Sequence, residues 1–180
     1  MTFTTSEIKK QFWKDINLQL DSLMESETNW VTNLANTSAL LWQELREPSL
    51  HELPSRAINW AGFYLIDKKN TKDLILGPFQ GKIACVRIPI GKGVCGVGAS
   101  SKLTQLVYDV HEFPGHIACD SASNSEIVVP LIVNDKVIGV IDIDCETVGG
   151  FDKEDQVGLE ELAKIIIKSC DFEDLLSALE

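Results

Sequence analysis

Short apolar segments alternate with turn residues through the middle of the chain, and this pattern limits the possible folds more than any other feature. Glycine, proline, asparagine or aspartate lies between most of the segments. The predicted strands cover 58–67, 73–79, 82–89, 103–108, 126–133 and 137–145. Most separations are too short for the helical crossovers that join parallel strands, so the sequence predicts a mainly antiparallel sheet.

Amphipathic helical patterns lie on both sides of this region. Residues 4–46 are predicted to be helical, because Thr4 and Glu7 fit a capping box and apolar residues then recur every four positions. A second amphipathic stretch within this region is marked by Trp30, Leu34, Leu41 and Leu45. Residues 151–179 predict a closing helix, whose acidic first turn suits the helix dipole. A central sheet with N- and C-terminal helices packed on it indicates an α+β domain.

The length of 180 residues suits one domain with a substantial core. We expect a single domain over 1–180, with N-terminal helices in 1–50, the sheet and its loops in 56–146, and the C-terminal helix in 151–179. The amphipathic N-terminal helices could pack on the sheet or on a second subunit, so a homodimer is one arrangement that the sequence allows.

The net charge of −11 argues against nucleic-acid partners and anionic membranes, because both require clustered lysine and arginine. No apolar run reaches the roughly 20 residues of a membrane span. The first residues also lack the basic and apolar regions of a secretory signal. We therefore expect a cytoplasmic protein, with the nucleus as a second compartment, whose five cysteines are mostly reduced thiols.

Two of these cysteines lie in polar or glycine-rich loops. For Cys119 and Cys95, reactive thiol chemistry and burial as a small hydrophobe are equally open. Cys95 lies where the chain enters a predicted short helix, and a helix N-terminus would lower the pKa of its thiol. Cys145 and Cys170, on a predicted strand and helix, favour simple burial. The sequence contains no Cys-x-x-Cys pair, so it predicts no metal site.

Three carboxylates are predicted to meet on the sheet. Asp142 and Asp144 alternate with apolar residues, so they share one face about 7 Å apart. If 134–136 is a three-residue hairpin loop centred on Asp135, Glu126 lies opposite Asp144 and completes an acidic patch. A two-residue loop would shift the register by one residue and separate them.

The neighbours of these carboxylates indicate a pocket. Strict alternation places Ile138 and Val140 on the face of the two aspartates. The opposite, core-like face would carry Val137, Gly139, Ile141 and Ile143. Alternation alone also allows solvated carboxylates on an exposed face. Carboxylates among apolar neighbours, in contrast, have raised pKa values and can hold an ammonium group.

Two aromatic residues share one face of the first predicted strand. Trp60 and Tyr64 are four positions apart, so strand alternation points them the same way. Core packing is the default interpretation for both. The more specific alternative is an aromatic wall for the apolar end of a ligand.

Six segments carry a specific combination of motifs. They are NWAGFY (59–64), LGPFQGK (76–82), GKGVCG (91–96), DVHEFPGHIACD (109–120), SEIVVP (125–130) and GVIDID (139–144). Together they resemble the free methionine-R-sulfoxide reductases, a family built on a stand-alone GAF domain, and they cover most of 58–152. The resemblance implies a GAF-like fold.

The resemblance also implies a reaction at Cys119. This thiol would attack the sulfur of free methionine sulfoxide, a carboxyl group would protonate the oxygen, and Cys119 would become a sulfenic acid. Either Cys85 or Cys95 would then condense with it to a disulfide. Thioredoxin would be the electron donor, and no other cofactor is implied.

Substrate binding is implied for the acidic and aromatic residues. Glu126, Asp142 and Asp144 would bind the substrate ammonium, and one of them would donate the proton. Trp60, with Tyr64 on the same face, would pack against the methylthio end. Two other functions use similar features: a non-catalytic GAF module that senses a small ligand or redox state, and a thiol peroxidase-like enzyme.

Overall fold

The computed structural model describes residues 4–48, 51–117 and 119–180. Its helices are α1 (Thr5–Met24), α2 (Trp30–Arg46), α3 (Gly93–Ser101), α4 (Lys153–Ser169) and α5 (Glu173–Leu176). Its strands are β1 (Ile58–Ile66), β2 (Asp73–Gly81), β3 (Arg87–Pro89), β4 (Gln105–Val107), β5 (Ser125–Val133) and β6 (Lys136–Cys145). The strands form one sheet in the order β3-β2-β1-β6-β5-β4 with antiparallel neighbours, which confirms the predicted α+β class.

The terminal helices are shorter than predicted, but they begin as the sequence indicates. The predicted capping box is confirmed: the Thr4 hydroxyl accepts from the Glu7 N–H, and the Thr4 N–H donates to the Glu7 carboxylate at 2.8 Å. The predicted helix 4–46 is divided at 25–29, where Asn29 caps α2. The predicted helix 151–179 ends at Ser169, since the backbone of the next residue is extended. Residues 1–3 and 49–50 of the predicted N-terminal segment lie outside the described residues.

The sheet has a hydrophobic core on each face. Beneath one face lies the larger core, formed with α1, α2 and α4, where α2 packs on β1 and β2 and α4 packs on β5. On the other face, α3 and the loops that precede and follow it cover a smaller core around Trp60, Tyr64 and Val140. None of the helices in the described part of the chain is long and apolar enough to span a membrane.

The β5–β6 hairpin reaches the predicted pairing by a different route. Its turn has two residues, Asn134 and Asp135, both with positive φ, so the predicted three-residue loop is wrong. A register shift between Leu131 and Ile132 inserts the missing residue within the ladder. Glu126 therefore does lie opposite Asp144, as expected. The extra residue is in the strand and not in the turn, which is what a β-bulge does.

Because of the bulge, two side chains of β6 lie on the opposite faces of the sheet from those predicted. Ile138 is fully buried in the larger core, although strict alternation placed it beside the aspartates. Val137 packs instead against the smaller core, where it was not expected. Beyond the bulge the alternation resumes, so Val140 shares the face of Asp142 as predicted. One inserted residue thus exchanges two side chains without moving the acids.

Two predicted strands are much shorter in the structure. Only Arg87–Pro89 of the predicted strand 82–89 pairs with β2, and the preceding residues form a loop that contains Cys85. The predicted strand 103–108 is reduced to β4. The loop before β3 is part of the cover over the smaller core and also borders the cavity on that face.

Candidate active site

A small cavity lies on the α3 face of the sheet. Strands β1, β5 and β6 form its floor, and the loop before β3, the start of α3 and the segment before β5 surround its opening. Its volume is about 30 Å³, room for about two water molecules. The lining residues are Trp60, Tyr64, Lys82, Ile83, Ala84, Ile88, Gly93, Val94, Cys95, His116, Ile117, Cys119, Asp120, Ser123, Glu126, Asp142 and Asp144. All eight residues predicted for the site except Cys85 line this cavity.

The three predicted carboxylates form its acidic floor. Glu126 and Asp142 are 6% and 5% exposed, and Asp144 is partly buried. The Cys95 thiol donates to Glu126 Oε1 across 3.8 Å, so this cysteine belongs to the acidic cluster. Asp142 Oδ1 has no hydrogen-bond partner among the described residues. A buried carboxylate oxygen without a donor favours a bound cationic group.

The electrostatics of the floor follow from burial. Burial raises the pKa of Glu126 well above its usual range, and the charges of Asp142 and Asp144 raise it further. Burial also raises the pKa of Asp142 to about 6. The pKa of Asp144 is raised well above its usual range by burial and by Asp142. The cluster therefore retains protons near neutral pH, so it can both donate a proton and accept a cation.

A disulfide joins Cys85 to Cys119 at the cavity mouth, with 5.5 Å between their Cα atoms. Cys119 is exposed, whereas Cys95 remains a buried free thiol. The sequence left open which of Cys85 and Cys95 pairs with Cys119, and the structure selects Cys85.

The expected low pKa of Cys95 is wrong: burial raises it well above the usual range, and Asp142 and Glu126 raise it further, despite the helix that begins nearby.

A third ring, that of Phe79, supports the aromatic wall without lining the cavity. Trp60 stacks between Tyr64 and Phe79, with ring centroids 5.6 Å and 5.2 Å away. The Tyr64 hydroxyl donates to the Cys85 carbonyl oxygen at 2.9 Å, which ties the wall to the loop of the disulfide. The indole N–H of Trp60 is buried and has no partner among the described residues.

Polar residues at the mouth were missed by the sequence reasoning. Lys82 lies 3.2 Å from Asp120, whose pKa is held below its usual range chiefly by the backbone N–H of Ala122. Asn59 donates to both Asp120 and Ser123, at 3.2 Å and 2.8 Å, and so holds the segment after Cys119 against β1. These residues lie within or beside the six motifs, but polar residues in loops carry no periodic signal.

His116 is the remaining titratable residue at the cavity that the predicted site did not include. Its Nε2 lies 3.8 Å from Glu126 Oε2. Burial lowers the pKa of His116, and the neighbouring His111 lowers it further. The ring is therefore mainly neutral at pH 7 and presents a nitrogen lone pair or an N–H to the acidic floor.

Comparison with known proteins gives a consistent picture. The GAF domain family matches residues 49–166. A free methionine-R-sulfoxide reductase of Saccharomyces cerevisiae is 48% identical over 173 residues, covering 96% of this chain and 93% of that protein. A protein of the same name from Escherichia coli is 51% identical over 154 residues and covers 86% of each chain. The structure of free methionine-R-sulfoxide reductase from Neisseria meningitidis in complex with its substrate has a TM-score of 0.81 and 40% identity, covering 99% of this chain and 96% of that chain.

Proposed function

Because the chain belongs to the GAF domain family and, within it, to the free methionine-R-sulfoxide reductases, we propose that it reduces free L-methionine (R)-S-oxide to L-methionine. One observation carries this assignment: a disulfide between exposed Cys119 and Cys85 lies at the mouth of a buried acidic cavity. Such a cavity suits a small substrate with an ammonium group, and the disulfide is the product of a two-electron reduction of that substrate.

The reaction proceeds by oxygen transfer to Cys119. Its thiolate attacks the sulfoxide sulfur and a carboxyl group of the floor protonates the oxygen. The hydroxyl group then moves from the substrate sulfur to the Cys119 sulfur as the transient sulfur–sulfur bond breaks. Methionine leaves reduced, and Cys119 is oxidised to a sulfenic acid. The Cys85 thiol then displaces water from this sulfur and forms the disulfide. Exposure of Cys119 at the mouth supports its role as nucleophile, since the buried Cys95 thiol is far more difficult to ionise.

Selectivity for the free amino acid follows from the acidic floor. Glu126, Asp142 and Asp144 bind the substrate ammonium, which a peptide-bound methionine lacks. A substrate without that group would leave buried carboxylates without a partner, which is strongly unfavourable. The stacked rings of Trp60 and Tyr64 then provide the apolar surface for the methylthio end.

Recycling requires an external dithiol, for which thioredoxin is our proposed donor. The exposed Cys119 side of the disulfide is open to attack by an incoming thiolate, which forms a mixed disulfide before a second thiol releases reduced enzyme. No other cofactor enters the scheme. This cycle fits a reducing compartment, so we propose the cytoplasm as its location, with the nucleus as a second site.

A homodimer is a further proposal and concerns the groove between α1 and α4. Trp13 and Ile165 contribute apolar surface there, and Val157 is about half exposed. The groove is lined by lysines and glutamates together, so two copies packed face to face could pair opposite charges. Sedimentation equilibrium of the wild type and of Val157→Glu tests the dimer proposal. A wild-type protein that is monomeric at micromolar concentration would contradict it.

The activity is tested by thioredoxin-coupled oxidation of NADPH with the two sulfur epimers of free methionine sulfoxide in separate reactions. An N-acetylated, amidated analogue provides the control for the ammonium group. We expect turnover of the free R epimer alone. Absence of turnover with every substrate, in protein whose thiols are intact, would overturn the assignment and favour a ligand-sensing GAF module.

A further inference from the structure

Cys95, Glu126 and Asp142 bring three metal-binding donors together in the cavity floor. Their sulfur and carboxylate oxygens lie within 4.8 Å of one another, and all three side chains are buried. Cys95 Sγ and Glu126 Oε1 are 3.8 Å apart, and His116 Nε2 lies 3.8 Å from the other oxygen of Glu126. Two tetrahedral zinc ligands are about 3.4 to 3.6 Å apart, given typical metal–ligand bond lengths. The three donors would therefore have to draw closer together, and His116, which lies outside the group of three, would have to turn towards Cys95 and Asp142 to complete a tetrahedral site.

The cluster also lacks a cationic side chain of its own. Within the described residues, no lysine or arginine forms an ion pair with Glu126 or Asp142. Lys82 lies at the mouth, where its partner is Asp120. Asp142 is 5% exposed, yet its Oδ1 has no hydrogen-bond partner among the described residues. This buried oxygen lines the cavity and is an available ligand.

We propose that Cys95, Glu126 and Asp142, with His116 as the fourth ligand, bind a thiophilic divalent cation such as Zn²⁺, and that the cation excludes substrate. Thiolate, carboxylate and imidazole together form a zinc ligand set, whereas Mg²⁺ and Ca²⁺ prefer oxygen ligands alone. The exclusion of substrate depends on the proposed function, because the same carboxylates would bind the substrate ammonium. The metal site itself does not depend on it.

Binding involves no redox step. The cation forms bonds to the sulfur, two carboxylate oxygens and the imidazole nitrogen. The Cys95 thiol and the protonated carboxyl groups of the cluster release their protons to solvent. The cavity of about 30 Å³ has room for an ion with or without one water molecule. The cation would thus be a reversible inhibitor of the reductase.

The disulfide form of the protein provides a clean test. Cys85 and Cys119 are already bonded to each other, so neither can contribute a thiolate. Co²⁺ is the optical probe for a zinc site, because thiolate ligation produces a sulfur-to-cobalt charge-transfer band. We expect one Co²⁺ per chain with this band, its displacement by Zn²⁺, and no displacement by Mg²⁺. Cys170→Ser, which removes a half-buried thiol outside the cavity, should leave the band unchanged.

Two substitutions among the proposed ligands test where the cation binds. Cys95→Ser should abolish the charge-transfer band, and Asp142→Asn should weaken Co²⁺ binding at least 10-fold without loss of the band at saturation. Circular dichroism checks that each variant is folded, and Asp142→Asn tests the site independently if Cys95→Ser fails to fold. A band that persists in Cys95→Ser, or a wild type that binds no Co²⁺, would overturn the proposal.

The exclusion of substrate is measured separately on pre-reduced enzyme. Rapid-quench measurement of disulfide formation with free methionine R-sulfoxide should show inhibition by Zn²⁺ that excess substrate relieves. Inhibition that substrate cannot relieve would contradict exclusion but leave the cobalt result intact. Failure of the reaction without zinc would instead count against the proposed function.

Discussion

At the scale of single residues, exposure separates two cysteines that look alike in the sequence. By sequence, Cys95 and Cys119 both fall in loop-like, glycine-containing segments. In the structure Cys95 is buried in the first turn of α3 on the acidic floor, and Cys119 is exposed at the mouth. Burial and neighbouring carboxylates raise the pKa of Cys95, so its thiol stays protonated. The thiolate is the reactive form, which makes Cys119 the better nucleophile.

Substitution of the nucleophile should therefore stop the reaction. We expect Cys119→Ser to lower kcat/KM by roughly 10³-fold or more, because a serine hydroxyl cannot form the sulfenic acid. Thioredoxin-coupled kinetics measure the loss. Cys170→Ser is the matched control and should keep near-wild-type kinetics, since its side chain packs against the larger core on the opposite face. Retained turnover in Cys119→Ser would contradict the mechanism.

The buried carboxylates should determine affinity for the free amino acid. Glu126→Gln keeps the shape of the side chain but removes its charge and its proton-donating carboxyl group. We expect kcat/KM for free methionine R-sulfoxide to fall roughly 10- to 100-fold. Glu146→Gln, at an exposed position just after β6, is the control and should resemble the wild type. Equal kinetics in Glu126→Gln and Glu146→Gln would rule out the ammonium site.

At the scale of elements, the sequence predicted pairing better than it predicted turns. Periodicity identified the strands that form the floor, and the opposition of Glu126 and Asp144 was correct. The position of the extra hairpin residue was wrong, because a two-residue turn plus a bulge produces the same pairing beyond the bulge as a three-residue turn. The polar network of Asn59, Asp120 and Ser123 was not predictable, since loop residues are placed by tertiary contacts and not by a local period.

The segment around Cys119 should loosen when the disulfide is reduced. Among its described residues, backbone hydrogen bonds run from His116 to Phe113 and from Ser123 to Asp120. Loss of the covalent link to Cys85 removes a major restraint on this loop. Hydrogen exchange measured by mass spectrometry should be faster in peptides covering 113–123 of the reduced protein, and unchanged in β6. Identical exchange in both redox forms would show that the disulfide does not hold the loop.

At the scale of the whole molecule, the sheet lies between the larger hydrophobic core and the candidate active site. The larger core beneath it contains the contacts of α1, α2 and α4, whereas the candidate active site lies on the opposite face. Gly158 of α4 packs closely against Trp13 of α1, because a Cβ atom there would lie 2.1 Å from the Trp13 ring. Changes at this contact should affect folding while the site remains intact.

We expect Gly158→Ala to lower stability by about 1 kcal/mol, because an overpacking cost of about 2 kcal/mol exceeds the gain of roughly 1 kcal/mol in helix propensity. The Tm should fall by several degrees, as measured by calorimetry. The exposed substitution Lys164→Ala on the same helix is the control. At a temperature where both variants are folded, kcat should match the wild type. A Gly158→Ala protein as stable as the wild type would contradict this packing.

The disulfide across the cavity mouth sets the order in which the two substrates can be handled. In the oxidised protein Cys119 is already bonded to Cys85 and has no thiol to attack a sulfoxide, and the cavity behind this bond is small, about 30 Å³. Sulfoxide and reductant therefore react with the enzyme in alternate half-reactions. Steady-state rates should follow a ping-pong law, with parallel double-reciprocal plots and no inhibition by excess sulfoxide. Converging lines would mean that the oxidised enzyme still admits its substrate, and that a ternary complex forms before electrons arrive.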